Sequence, residues 1–96
     1  MTIREFKASL ALAAAPKGIS NLLEAMWHDG KGDWERSHNI AQDIHSKEGS
    51  WIHAYLHRKE GDEGNAAYWY ARAGRKMPVI SLKDEWEVIC EELLKA

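Results

Sequence analysis

The sequence predicts an all-α fold of five or six short helices arranged as antiparallel pairs. Three observations support that prediction. No segment alternates apolar and polar residues with enrichment in β-branched side chains, as a half-buried strand would. Apolar residues instead recur at helical spacings along the whole chain. Glycine, proline and short polar residues, which start or stop helices, separate these segments.

Three helices are predicted in the first half of the chain, each preceded by a residue that can cap a helix. A capping side chain accepts a hydrogen bond from a backbone N–H group that the helix start leaves free. The candidate caps are Thr2, Ser20 and Asp33. Thr2 also stands three residues before Glu5, which is the spacing of a capping box. The first helix is expected to continue to Ala13, and the breakers that follow the first two helices are Pro16, Gly18, Gly30 and Gly32.

Three more helices are predicted in the second half. Gly49 is expected to break the chain, so the fourth helix is predicted over residues 51–60. The fifth is predicted over residues 63–75, because Pro78 prevents a longer helix. Ser81 is the candidate cap of the last helix.

Length and charge restrict the class of protein. Ninety-six residues are enough for one domain. A net charge of −2 with mixed signs argues against a nucleic-acid binder, which usually has a basic face. The single cysteine, Cys90, excludes an internal disulfide and a cysteine-rich zinc site, and it favours a cytoplasmic location. The longest apolar run, "SLALAAAP", is far from the roughly 18 residues that would span a membrane.

Two segments of the chain align with each other when one is shifted by 29 positions. Four positions then carry the same residue in both segments: Ala25 and Ala54, His28 and His57, Gly32 and Gly61, Asp33 and Asp62. Periods of about 20–50 residues indicate stacked helix pairs. We therefore predict one domain over residues 1–96, with helix pairs over about 20–47 and 50–76 and a capping helix over about 81–95.

The second segment resembles a known repeat. In "GDEGNAAYWYARAGRKMP", the second half of a tetratricopeptide repeat is matched by Gly61, Asp62, Ala66, Tyr70, Ala73 and Pro78. Ala54 matches that repeat's small residue, whereas Ser50, His53, His57 and the period of 29 depart from it. More closely, "WHDGKGDWERSHNIAQ" and "HAYLHRKEGDEGNAAYWYARAG" resemble a family of small bacterial helical proteins, a domain of unknown function. The resemblances imply a tetratricopeptide-like right-handed stack of helix pairs and no particular activity.

The stretch "WIHAYLHRKEGD", residues 51–62, contains most of the candidate functional residues. His53 and His57 are four residues apart, so they share one face of a helix. Because His57 recurs as His28, it is predicted to be architectural, with its imidazole bonded to a turn carbonyl or to Asp62. His53 aligns with Glu24 rather than with a histidine, so it is predicted to be a functional residue on the surface.

Several other side chains receive structural interpretations. Trp69 and Tyr70 are predicted to lie in the core, and Cys90 is predicted to be an inert core thiol. Arg58 is expected to pair with Asp62 near the helix end. The last helix is expected to have an apolar side and a solvated acidic side.

The sequence favours a small helical-repeat binding module over an enzyme. Its groove is expected to take a peptide, a protein partner or a small ligand, with neither nucleic acid nor membrane as a partner. The candidate ligand-binding residues are His53, Tyr55, His57, Arg58 and Arg72. No catalytic residue, metal site or cofactor is predicted. The alternative is a metal- or histidine-dependent enzyme that uses His53, His57 and either His38 or His45. The oligomeric state is left open.

Overall fold

The computed structural model describes residues 1–95, which form six α-helices and no strand. The helices are α1 (Ile3–Ser9), α2 (Asn21–Gly30), α3 (Trp34–Gln42), α4 (Lys47–Lys59), α5 (Glu63–Arg72) and α6 (Leu82–Lys95). The predicted all-α fold is therefore confirmed. Within the same residues, no helix is both long enough and apolar enough to cross a membrane.

The predicted capping residues start the helices. The Thr2 hydroxyl accepts from the Glu5 backbone N–H at 3.1 Å, and the Glu5 carboxylate accepts from the Thr2 N–H at 2.8 Å. This completes the capping box. The side chains of Ser20, Asp33 and Ser81 each accept from the backbone N–H group three residues further on. Local sequence signals thus fix where these helices begin.

The fourth helix begins four residues earlier than predicted. α4 starts at Lys47 and is capped by Ser46, whose hydroxyl accepts from the Gly49 N–H at 3.1 Å. Gly49 therefore lies in the first turn of the helix and does not break the chain. A Cβ atom at Gly49 would lie 2.2 Å from the backbone oxygen of Ile44. The glycine is required for this close approach of two backbone segments.

Two helices end earlier than predicted. α1 stops at Ser9, so Ala13 lies beyond it. α5 stops at Arg72 because Gly74 adopts a left-handed conformation, with φ of +72°. The Arg75 N–H then donates to the Tyr70 carbonyl at 2.9 Å, which is the closing bond of a Schellman motif.

Helices α2 and α3 pack together as one hairpin, and α4 and α5 as a second. The second hairpin packs through α4 against α3, while α6 contacts both α2 and α4. The two hairpin turns have the same geometry, since Gly32 and Gly61 both have φ of +86°. Each turn is closed by a 2.9 Å backbone bond, and the residue that donates it, Asp33 or Asp62, also caps the following helix.

The core lies where the hairpins meet α1 and α6. Ala25 and Ala54 are both fully buried, as expected for positions where helices approach closely. The predicted core positions of Tyr70 and Cys90 are confirmed, and burial raises the pKa of the Cys90 thiol. Trp69 is only partly buried at the edge of this core.

The acidic side of α6 is not fully solvated, which corrects the prediction for this helix. Glu85 is only 2% exposed. Its carboxylate accepts from the Trp51 indole at 3.2 Å, from the Tyr70 hydroxyl at 2.6 Å and from Arg58 at 2.7 Å. Arg58 therefore pairs with Glu85 and not, as predicted, with Asp62. These three donors satisfy the hydrogen-bonding capacity of the buried carboxylate, which explains why Glu85 is tolerated in the core.

Candidate functional site

Three histidines converge between the two hairpins, and we call them the histidine cluster: His38 of α3, and His53 and His57 of α4. One ring nitrogen from each lies within 4.8 Å of the other two. The closest pair is Nε2 of His38 and Nε2 of His53, at 3.0 Å. Of the two histidines that the sequence offered as third members, the structure brings His38 to the cluster and leaves His45 exposed outside it.

Two indole rings flank the histidine cluster and fix its ring planes. Trp34 stacks on His38 with ring centroids 4.8 Å apart and an interplanar angle of 9°. Trp69 stacks on His53 at 4.0 Å and 19°. Trp34 is itself anchored, because its indole N–H donates to the Leu56 carbonyl at 2.8 Å. Trp34 was not among the site residues predicted from the sequence, although its one-turn spacing from His38 was a usable signal.

His57 is oriented by a carboxylate. Its Nδ1 lies 2.6 Å from Oε1 of Glu60, whereas the Nε2 of His28 is 3.8 Å from Oε1 of Glu24. The two repeated histidines therefore have different side-chain partners. What they share is a backbone role, since the carbonyl of each accepts the bond that closes its turn. The prediction that the His57 imidazole is bonded to a turn carbonyl or to Asp62 is wrong, because its partner is the Glu60 carboxylate.

His53 is buried, which corrects the expectation that it lies on the surface. Only 7% of the residue is exposed, because α3 and Trp69 cover it. Burial, reinforced by the neighbouring His38 and His57, lowers the pKa of His53 to about 4. Burial and the neighbouring His57 also lower the pKa of His38. His53 is therefore neutral at pH 7, and a ring nitrogen of neutral imidazole has a lone pair.

A groove of about 450 Å³ adjoins the histidine cluster at His53, between the end of α3, the start of α4, and α5. The polar and aromatic residues that line it include Gln42, His45, Ser50, His53, Trp69 and Arg72. The Arg72 guanidinium lies 5.4 Å from the Trp69 ring centroid, and its Nη1 is 3.3 Å from the hydroxyl of Tyr68. The groove thus combines one cation with aromatic surface.

One donor in this groove, the Trp69 indole N–H, lacks the kind of partner that the other indoles have, and Arg72 beside it has no carboxylate partner. The other four indole N–H groups donate to protein oxygens. The indole N–H of Trp69 has no acceptor among residues 1–95. In the same part of the chain, no carboxylate lies within 4.0 Å of the Arg72 guanidinium. The Trp69 indole N–H, and the guanidinium N–H groups of Arg72 that do not donate to Tyr68, are therefore available to an acceptor from outside the domain.

The structure separates the five predicted ligand-binding residues. His53 and His57 lie in the histidine cluster, and His53 and Arg72 line the groove. Tyr55 lies elsewhere: it is 2% exposed, and its hydroxyl donates to Asp29 at 2.8 Å, which together with burial raises its pKa. Arg58 likewise points to the core through its pair with the buried carboxylate of α6. Residues two or five positions from His53 on one helix cannot share its face.

Two groups of side chains have a spacing that suits a metal ion. One is the histidine cluster, and the other consists of His57, Glu60 and Asp62. The Asp62 carboxylate is already committed, since it accepts from the Asn65 side chain at 2.6 Å and from the Asn65 backbone at 3.2 Å. These bonds lower the pKa of Asp62. The histidine cluster is therefore the better candidate.

Comparisons with protein-family models, with curated proteins and with solved structures found no match for this chain. The proposed bacterial family and the tetratricopeptide resemblance consequently stay predictions. The candidate chemistry therefore depends on the site's own atoms, which are the converging imidazole nitrogens of the histidine cluster and the Trp69 and Arg72 donors of the adjoining groove.

Proposed function

We propose that this chain is a small helical binding module whose groove binds a small ligand with an anionic group. The observation that supports this most directly lies on one groove wall, where the Trp69 indole N–H has no acceptor among residues 1–95 and the Arg72 guanidinium has no carboxylate partner. A carboxylate satisfies both, because it accepts several hydrogen bonds and neutralises the arginine.

The size and lining of the groove support a small ligand over the peptide or protein partner that the sequence also allowed. Small-molecule sites usually enclose about 300–1,000 Å³, and this groove holds about 450 Å³. The partly buried ring of Trp69 adds aromatic surface to the groove next to the position proposed for the anion. Gln42 and Ser50 supply further polar contacts.

Stacked helical repeats would explain why a groove forms at this place. We interpret the two hairpins as degenerate tetratricopeptide-like repeats, on the basis of their equivalent turns and buried alanines. Successive hairpins in such a stack leave a concave surface between them. A cytoplasmic location, expected from the single cysteine, is part of this proposal.

Nuclear magnetic resonance of ¹⁵N-labelled protein tests the proposal. Benzoate and phenylacetate are titrated, with uncharged benzamide as the matched control ligand. We expect the carboxylates to shift the Trp69 indole and Gly49 backbone N–H signals, while the indole signals of Trp27 and Trp86 stay in place. Arg72→Gln should weaken binding about tenfold or more, because it removes a charged hydrogen-bond donor.

Arg36→Gln is the matched control variant, since Arg36 is an exposed arginine of α3 outside the groove. Its affinity for the carboxylates should equal that of the unmodified protein. The proposal fails if neither carboxylate shifts the Trp69 indole signal. It also fails if benzamide binds as well as benzoate, or if both arginine variants lose affinity equally.

A further inference from the structure

The hydrogen bonding inside the histidine cluster leaves lone pairs unused. Nε2 of His38 and Nε2 of His53 are 3.0 Å apart, so one ring donates N–H and the other accepts. His57 brings a third ring nitrogen to within 4.8 Å of both. One imidazole-to-imidazole bond uses a single lone pair, whereas a metal ion accepts a lone pair from each ring.

The spacing of these nitrogens suits a tetrahedral ion. Zinc–imidazole bonds are about 2.0–2.1 Å, so two ligand nitrogens at a tetrahedral angle lie roughly 3.3 Å apart. The observed separations, 3.0 Å for the closest pair and at most 4.8 Å for the others, bracket that value. Because His53 and His57 are one helical turn apart and His38 is on the packed neighbouring helix, the backbone already holds the three rings together.

The residues around the cluster have the features of an outer coordination shell. Ligand histidines usually donate the N–H of their other ring nitrogen to a carboxylate or carbonyl. Glu60 stands 2.6 Å from Nδ1 of His57, which favours a proton there and leaves the lone pair on Nε2. Trp34 and Trp69 stack on the other two imidazoles and limit their rotation.

The donor set selects a class of ion. Three imidazole nitrogens suit zinc, cobalt, nickel or copper, whereas magnesium and calcium take oxygen ligands. With three protein ligands, a tetrahedral ion keeps one position for water or another exchangeable ligand. The solvent side of the cluster is at His57, whose side chain is 13% exposed, and at Glu60, whose side chain is 39% exposed.

We propose that His38, His53 and His57 form a binding site for one divalent transition-metal ion of the zinc class, with Glu60 as the residue that orients His57. The inference does not rest on the groove ligand. The two sites share only His53, and the groove ligand is proposed to bind through Trp69 and Arg72.

Calorimetric titration with zinc chloride tests the site directly. The protein carries no histidine tag and is first treated with EDTA and dialysed. We expect one zinc per chain and no binding of magnesium chloride. Cobalt chloride should give the intense visible absorption of a four-coordinate ion.

Single substitutions then identify the ligands. His38→Ala and His57→Ala should each weaken zinc binding by more than the roughly 10–100-fold that loss of an outer-shell partner costs. His28→Ala and His45→Ala, which remove the histidines outside the cluster, should leave the affinity unchanged. Glu60→Gln should weaken binding about 10–100-fold, and Glu24→Gln, beside His28, should not.

Circular dichroism checks that each variant is folded, and His38→Gln replaces His38→Ala if the latter is not. Binding of less than one zinc per chain by the unmodified protein overturns the site, and this result needs no variant. Equal losses in the His28 or His45 variants also overturn it. An unchanged affinity in Glu60→Gln overturns the orienting role of Glu60.

Discussion

The two helix hairpins share a turn geometry but differ in what surrounds it. In both turns a glycine has φ of +86°, and the carbonyl of His28 or His57 accepts the closing hydrogen bond. Yet the imidazole of His28 lies near Glu24, whereas that of His57 joins His38 and His53. The repeated pattern therefore determines the backbone. The helix that packs against each hairpin determines the chemistry, since α3 brings His38 to α4.

A second comparison concerns charge. Asp29 and Arg58 occupy equivalent positions when the chain is shifted by 29, yet their charges are opposite. Asp29 pairs with Lys59 of the second hairpin at 2.9 Å, and Arg58 pairs with Glu85 of α6 at 2.7 Å. In each hairpin this position ties the unit to the next element along the chain. The two hairpins thus have an ion pair to another element at the same repeat position, but the charge at that position is negative in one hairpin and positive in the other.

The largest expected effect comes from these two buried ion pairs. Glu85→Ala should lower the free energy of unfolding by about 3–5 kcal/mol, because it leaves the Trp51 indole and the Tyr70 hydroxyl without an acceptor and Arg58 without its carboxylate partner. Asp29→Ala should cost less, because it removes the acceptor of one buried donor, the Tyr55 hydroxyl, while the side chain of Lys59 is 37% exposed and can reach water. Urea denaturation of both variants measures the difference. Equal losses would show that the two pairs are equivalent in energy as well as in position.

The buried alanines should respond alike in both hairpins. Ala54→Leu and Ala25→Leu each insert a larger side chain at a fully buried position. Each should cost about 1–3 kcal/mol through overpacking. Ala67→Leu, at an exposed position of α5, is the control and should leave stability nearly unchanged. If Ala54→Leu has the same melting temperature as the unmodified protein, the helices do not approach each other closely at Ala54.

Histidine substitutions should affect stability differently in the two hairpins. In metal-free protein, His53→Ala should cost about 1–3 kcal/mol, because His38 loses its bonded partner. His28→Ala should cost less, within roughly 0.5 kcal/mol, as is usual away from buried networks. The order is the reverse of that predicted from the repeat alone. Thermal melts of both variants in EDTA measure the two stability losses. A larger loss in His28→Ala than in His53→Ala would favour the interpretation based on the repeat.

The smallest effect concerns a buried hydroxyl. Ser37 is fully buried, and its Oγ has no hydrogen-bond partner within residues 1–95. Its equivalent in the second hairpin is the buried Ala66. Ser37→Ala should therefore stabilise the protein by about 1 kcal/mol, because it removes an unsatisfied polar group. Ala66→Ser should destabilise it. Chemical denaturation of the pair checks both signs, and a destabilising Ser37→Ala would point to a missing partner for that hydroxyl.

Much of the fold could be predicted because its signals are local. The caps at Thr2, Ser20 and Asp33 bond to backbone groups three residues away, so a short window of sequence contains the whole interaction. The predicted break at Gly49 was wrong because it too relied on a local signal. Its value as a helix breaker is local, but the contact that requires it, with the Ile44 backbone, depends on how the chain turns before α4.

The candidate site was predicted less completely because its contacts are long-range. The one-turn spacing of His53 and His57 was visible, but the choice of His38 over His45 depends on how α3 packs on α4. The burial of His53 depends on the same packing. Glu60 lies only three residues from His57 and was missed, although helical spacing places the two side chains on one face.

The proposed three-histidine metal site lies at the junction between the two hairpins. Diffraction from crystals grown with one equivalent of zinc, measured on both sides of the zinc absorption edge, would locate the ion. We expect one anomalous peak about 2.0–2.1 Å from a ring nitrogen of each of His38, His53 and His57. A peak at His28 or His45 instead, or no peak at the cluster, would contradict it.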